Sequence, residues 1–329
     1  MKNELCTEAI ASSALPYASP APADAAGLDR RIRVVLAFLA IYVIWGSTYL
    51  AIRVGVASVP PYAFAASRFL VAGAALYGYL RLTGTAAPAP GTWRSAAIVG
   101  GMLLAGGNGF VTWAEQRVPS GLAALVIATV PLWMNLLEWL AFGGARPGRV
   151  ATLGLLSGFA GVGLLVMPRH GTLAMDPRGV AALLASAILW STGSLLSRRL
   201  PLPRSPLMAT AMEMISGGVI MAGIAMTRGE PAAIAWSAIP RGAVAALLYL
   251  VVFGSLVAFS AYVWLLRTVP AAHVATYAYV NPAVALALGV LAGDGRLDPR
   301  TLVASAVILG SVAIIIKAPR AATSEEKAP

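Results

Sequence analysis

Side chains able to carry charge or to bond a polar solute lie inside stretches of this sequence that are otherwise apolar. Arg68, Glu138 and Glu213 are full charges in such stretches. A charge at that depth is costly unless it faces a protein interior, a partner or water, so each marks a place where ions or polar solutes are handled. Arg68 and Glu213 stand 145 positions apart with opposite sign. They either pair with each other or serve separately, Arg68 for an anionic group and Glu213 for a cationic one. Glu138 falls on one helical face with Pro131 and Asn135. There Asn135 and Glu138 recognise an ammonium group, or Glu138 carries a coupling proton, or its carboxylate reaches out to the membrane surface. Asn108, Thr112 and Glu115 line one face of another apolar stretch, which makes Glu115 a further coupling candidate.

Aromatic side chains accompany these groups. Trp45, Tyr49 and Arg53 share a stripe at four-residue spacing, with Thr48 beside them; Ser186, Trp190 and Ser194 repeat the pattern. Tyr277 and Asn281 crowd the turns around Pro282. Trp and Tyr offer flat apolar walls with one hydrogen-bonding edge, and Asn adds an oriented amide, a combination suited to an amphiphilic organic solute. Each residue also has a structural reading, since Trp anchors membrane interfaces and Ser or Thr often bonds its own backbone. Trp45 and Trp190 sit midway along their stretches, against the anchor reading; Trp113 and Trp264 end theirs, in favour of it.

Pro131 and Pro282 lie within apolar stretches, each lacking an amide hydrogen, so the carbonyls of Ile127 and Ala278 lose their helix partners. Freed carbonyls at membrane depth are tolerated only where protein, water or ligand satisfies them. Paired interruptions of this kind point to a transporter's binding site and to the hinges that gate it.

These residues need a membrane scaffold. With 59% hydrophobic and 11% charged residues, the composition falls far from a soluble domain, where about a quarter of residues are charged. Ten apolar stretches are long enough to span a bilayer: roughly 34–57, 62–82, 95–113, 120–142, 150–167, 179–197, 205–226, 242–264, 272–292 and 301–317. The expected fold is an all-α polytopic membrane protein. Residues 1–33 read as a disordered tail, 34–168 and 178–317 as two five-helix units, and 318–329 as a second tail. Gly154, Gly158, Gly161 and Gly163 give the fifth stretch close-packing faces, for a neighbouring helix or a dimer contact.

The two units repeat one another. Trp45, Arg53, Pro61 and Gly73 recur at an offset of 145 as Trp190, Arg198, Pro206 and Gly218. Trp113, Pro119, Pro131 and Arg149 recur at an offset of 151 as Trp264, Pro270, Pro282 and Arg300. Five spans per unit turn the second copy upside down, giving the inverted repeats of secondary transporters. With the N-terminus inside, 15 Lys and Arg lie on the cytoplasmic side against 8 on the other, placing both termini in the cytoplasm.

The net charge of +11 does not signal nucleic-acid binding, because the basic residues are scattered between spans. Two histidines and one cysteine make a metal site improbable, and no phosphate-cradling glycine motif suggests a cofactor. Ser120 and His273 begin equivalent helices in opposite leaflets, too far apart for an intramembrane protease, so no enzyme is expected.

The stretches Ile44-Trp45-Gly46-Ser47-Thr48-Tyr49, Pro60-Pro61 with Arg68-Phe69, Gly107-Asn108-Gly109, Val118-Pro119-Ser120-Gly121, Ala128-Thr129-Val130-Pro131 and Tyr277-Ala278-Tyr279-Val280-Asn281-Pro282 carry a resemblance. In them the chain resembles the EamA branch of the drug/metabolite transporter superfamily, from about residue 41 to 316. The resemblance implies ten helices in two inverted repeats and export of small metabolites such as amino acids across a bacterial inner membrane. The chain departs from the pattern at Gly293-Asp294-Gly295, where a Gly-Glu pair is usual, and at Glu138, in a stretch expected to be more apolar. The expectation is therefore a secondary exporter of small organic solutes, working by alternating access as a monomer or homodimer. Transport of anionic or sugar-type metabolites, and a non-transporting receptor or scaffold, are the alternatives. Its substrate walls are Trp45, Thr48, Trp190, Ser194 and Tyr277, its amides Asn108, Asn135 and Asn281, and its charges Arg68, Glu115, Glu138 and Glu213.

Overall fold

A computed structural model describes residues 23–144, 146–167, 176–269, 274, 276–294 and 298–317. The helices, in chain order, are α1 (Ala23–Val56), α2 (Pro61–Leu82), α3 (Pro90–Ala114), α4 (Ser120–Ala141) and α5 (Arg149–Val166). The second half follows with α6 (Pro177–Leu196), α7 (Pro206–Thr227), α8 (Arg241–Thr268), α9 (Tyr277–Leu291) and α10 (Pro299–Lys317). Among the described residues seven of these are long and apolar enough to cross a membrane, and α5, α9 and α10 are shorter apolar helices. The chain is a polytopic helical membrane protein. Val43, Val71, Leu153, Leu156, Val219, Leu248 and Leu302 stand exposed on the helices, a surface that lipid and not water must cover.

Helix starts follow local chemistry. Proline opens α2, α3, α6, α7 and α10, where its missing amide hydrogen costs nothing and its fixed φ suits the first turn. The Asp176 side chain accepts from the Arg178 amide to cap α6, and Ser205 does the same for α7 through Met208. α1 begins at Ala23, not near residue 34, so residues 23–33 of the expected tail are helical. The Asp29–Arg33 pair at i,i+4 spacing supports that added length at its polar end. Residues up to Leu36 cluster as a unit of their own, and Ala37 onward forms the bundle.

The repeat is visible in the backbone. Gly84 and Gly229, 145 positions apart, both adopt a left-handed conformation after α2 and α7, and Gly143 and Gly293 do so after α4 and α9. α2 packs on α7, α4 on α9 and α5 on α10, each helix against its repeat equivalent. The α2–α7 crossing is made at equivalent glycines: a Cβ at Gly73 would lie 2.9 Å from the Ile215 nitrogen, and one at Gly218 3.1 Å from the Leu70 nitrogen. Gly154, Gly158 and Gly161 of α5 are filled by Ile315, Ser311 and Ile308 of α10, so they serve packing within the chain. α3 approaches α7 closest at Gly100, where an added Cβ would run into the Glu213 backbone, which cannot swing aside. Gly100→Ala is expected to lower stability by about 1–3 kcal/mol. Gly78→Ala, in α2 with nothing within 4 Å, is expected to stay within about 1 kcal/mol. Thermal unfolding of both variants in detergent checks the contrast.

Two departures from regular helix occupy corresponding places. Gly101–Asn108 in the middle of α3 and Leu250–Val257 in the middle of α8 are π-helical, with i→i+5 bonding. Such stretches are rare and concentrate at functional sites. α4 is interrupted after Ile127 and resumes at Val130, so Pro131 is the second residue of a new helical segment, not a kink inside a continuous one. Pro282 does lie inside α9.

Candidate functional site

The middle of α1 faces α8 and α9 through aromatic side chains. Trp45 holds the rings of Phe259, Tyr262 and Tyr277 at centroid distances of 5.3 Å each, and Tyr262 lies 6.0 Å from Tyr277. Edge-on geometry to Phe259 and Tyr277 suits the ring quadrupoles. The Trp45 indole Nε1 donates to the Gly254 carbonyl at 3.2 Å, within the π-helical part of α8. Trp190, its repeat equivalent, lies over the π-helical part of α3: a Cβ at Gly107 would meet its ring at 2.9 Å. Ser186, one turn before Trp190, donates to the Gly107 carbonyl at 2.8 Å. Each copy thus sets its tryptophan against the widened helix of the other, Trp190 in the room left by Gly107 and Trp45 through its bond to the Gly254 carbonyl.

Arg68 of α2 reaches the same region. It is 5% exposed, and its Nε donates to Ser255 Oγ at 3.0 Å. A Cβ at Gly254 would lie 3.2 Å from Arg68 Nη2 and 3.1 Å from the Thr48 methyl. The guanidinium therefore sits beside the peptide group to which Trp45 bonds. Ser47 and Tyr249 exchange a hydroxyl–hydroxyl contact of 2.6 Å, and Tyr42 and Thr276 one of 2.5 Å, tying α1 to α8 and to the start of α9.

Of the remaining charges, Glu213 and Arg68 form no ion pair with each other among the described residues; Glu213 instead presents its backbone to Gly100. Glu138 is on the surface, 3.8 Å from Arg198, with the two side chains 52% and 59% exposed. Its carboxylate therefore meets solvent, not a buried solute. Glu115 is the opposite case, wholly buried at the end of α3 with no partner for either carboxylate oxygen.

Around Glu115 lies a polar cluster at the end of the bundle where α1 ends and α4 begins. Arg53 pairs with Asp294 at 3.1 Å and donates through Nη1 to the Glu115 carbonyl. The other Asp294 oxygen accepts from the Ser120 amide at 2.9 Å, capping α4. Asp294 thus joins the end of α9 to both α1 and α4. In the sequence Asp294 stands out only as a departure from pattern and Arg53 only as part of a stripe. Their 241-residue separation hides the pairing.

The polar residues expected to meet a solute divide into two groups. Asn281 is 7% exposed, and with its amide nitrogen facing the acceptors it donates to the Tyr277 and Tyr42 carbonyls at 3.2 and 3.3 Å, binding α9 to α1. Asn135 donates to the Pro131 carbonyl at 3.0 Å, Thr48 to Trp45 at 2.6 Å and Ser194 to Trp190 at 2.8 Å, all within their own helices. Trp190, Tyr277 and Asn108 are half-buried. Ser191, fully buried on α6, donates to the Val130 carbonyl at 3.1 Å and so fits the break in α4. His170 and His273 lie outside the described residues. Among the described residues no group of three or more His, Cys, Asp or Glu stands close enough to hold a metal.

The model of the EamA-like transporter family matches this chain twice, over residues 32–167 and 177–317. The inner membrane transporter YedA of Escherichia coli (strain K12) is 40% identical over 281 residues, covering 85% of this chain and 89% of that protein. The transporter sll0355 of Synechocystis sp. (strain PCC 6803) is 25% identical over 313 residues, covering 87% of this chain and 91% of its own. A solved crystal structure shares the fold, with a TM-score of 0.59 at 24% identity over 85% of this chain and 95% of that one.

Proposed function

The chain belongs to the EamA-like transporter family, and we propose that it exports small zwitterionic metabolites, amino acids or close relatives, across a bacterial inner membrane by alternating access. The observation that carries the substrate class is the placement of Arg68 beside the Trp45 cluster. An amino acid has a carboxylate and an ammonium group a few ångströms apart. Arg68, a planar donor fork, suits the carboxylate. The rings of Trp45, Phe259, Tyr262 and Tyr277 suit the ammonium through cation–π attraction and pack an apolar side chain. Asn108 from the first copy and Trp190 from the second complete the walls.

Direction and gating follow from the repeat. Five helices in each copy make the second enter the membrane inverted, and the basic residues put both termini in the cytoplasm. The Arg53–Asp294–Ser120 end, held by its ion pair, then faces the periplasm, while its counterpart, where the exposed Arg198 and Glu138 meet, faces the cytoplasm. The break before Pro131 and the proline in α9 let each half reorient.

An anionic or phosphorylated solute is the second reading, favoured by the same buried Arg68. Proteoliposomes loaded with labelled neutral amino acids or with a labelled sugar phosphate separate the two. Efflux of the amino acids, reduced about tenfold by Trp190→Ala, is the expected result, since stripping one half-buried aromatic wall removes about 1.4 kcal/mol. Preferential efflux of the sugar phosphate would replace the zwitterion reading, and efflux indifferent to Trp190→Ala would overturn this site.

A further inference from the structure

The Arg53 cluster holds a carboxylate it does not use. Asp294 takes the Arg53 guanidinium and the Ser120 amide, and Arg53 gives Glu115 only a bond to its backbone carbonyl. The Glu115 side chain is 0% exposed, and both of its oxygens lack partners. An ionised carboxylate left that way is far more costly to bury than a neutral one. The charged or titratable groups near enough to act on it are Tyr49 and Arg53 from α1, Arg68 from α2 and Asp294 after α9. Of these, Arg53 is paired with Asp294, and Arg68 gives its Nε to Ser255.

We propose that Glu115 is a proton-binding site that latches the Arg53–Asp294 end of the bundle. It is neutral while that end is closed, and it loses its proton when the end opens. On opening, water enters, the Glu115 O–H bond breaks and the proton passes to water on that side. Arg53, released from Asp294, then finds the new carboxylate as an alternative partner one side chain away. Glu115 directly follows the apolar stretch Pro90–Ala114 of α3, at the end where that water enters. Burial first, and the like charge of Asp294 second, hold its carboxyl well above the ordinary carboxylate range, against the pull of Arg53 and Arg68. The closed end therefore binds more protons than the open one. Its stability is full below the ordinary carboxylate range and is lost as pH rises through the raised value. The inference rests on the transport reading only for its use; the latch itself is a property of this end of the molecule.

The test uses the full chain in liposomes, with Cys6→Ser and Val56→Cys, the new thiol replacing a side chain 4% exposed at the end of α1. A membrane-impermeant maleimide labels it from outside at a series of pH values, with Glu115 and with Glu115→Gln, the isostere of the neutral form. The ratio of the two rates cancels the reagent's own pH dependence. The expected ratio is near one in acid and rises about tenfold toward alkaline pH, with the Gln variant remaining closed. A flat ratio overturns the proposal. So does a Gln variant that fails to fold, because the closed site is built to hold the neutral form. Efflux from parallel amino-acid-loaded vesicles separates the two readings. A rising ratio without efflux leaves the latch and removes the amino-acid export reading, and efflux with a flat ratio does the reverse.

Discussion

Arg53→Ala will open the closed end of the bundle and cost about 2–4 kcal/mol in stability. Removing one partner of a buried ion pair leaves the other uncompensated, at about 3–5 kcal/mol when both are fully buried. Here the Arg53 side chain is 33% exposed and Asp294 14%, so the cost falls toward the lower part of that range. The loss also strips the Glu115 carbonyl of its donor and loosens the Asp294 cap on Ser120. Arg53→Lys keeps the charge but not the fork that serves two acceptors at once, and should recover only part of the loss. The double variant Arg53→Ala/Asp294→Ala is expected to be less destabilised than the sum of the singles, with a coupling of about 1–3 kcal/mol. Thermal or denaturant unfolding in detergent reads all three. Additive singles would show that the pair does not hold this end.

Trp45→Ala will have the second large effect, on transport more than on folding. It removes three ring contacts at 5.3 Å and the donor to Gly254. Truncating a fully buried Trp costs about 3–5 kcal/mol; for the half-buried Trp45 the cost falls below that, part of it in stability because the cluster also joins α1 to α8 and α9. Transport efficiency is expected to fall about a hundredfold, the equivalent of nearly 3 kcal/mol. Trp45→Phe keeps a ring and loses the hydrogen bond, a change of about 1 kcal/mol. Initial efflux rates over a range of internal amino-acid concentrations measure both, and equal losses for Phe and Ala would mean that the hydrogen bond, not the aromatic wall, matters.

Much of this architecture was legible in the residues themselves. Apolar stretches bounded by proline and glycine marked ten helices, because crossing a bilayer imposes both length and composition on a segment. The repeat was legible too, since equivalent sites such as Gly73 and Gly218 keep glycine where the two copies cross. What stayed hidden was whatever depends on the partner across the bundle. Gly106-Gly107 and Gly254-Ser255 give no local signal of the π-helical stretches, beside which Trp190 and Trp45 are found. Arg68 and Glu213, opposite in sign and equivalent in the repeat, left a pair and separate roles both open; the fold bonds Arg68 to Ser255 and not to Glu213. Asn281 carried the chemistry of a ligand-binding amide, yet neighbouring carbonyls of α1 and α9 claim it. Glu138, two turns from Pro131, ended at the solvent-facing end of α4, where Arg198 meets it.

Counterflow tests the central claim most directly. Proteoliposomes loaded with an unlabelled amino-acid mixture are placed in a trace of labelled amino acid with no other gradient. A carrier that exposes one site alternately to the two sides accumulates label transiently above equilibrium. The wild-type chain is predicted to show that overshoot, and Trp45→Ala to lose it. Uptake no greater than in protein-free vesicles, or simple equilibration without overshoot, would contradict the account.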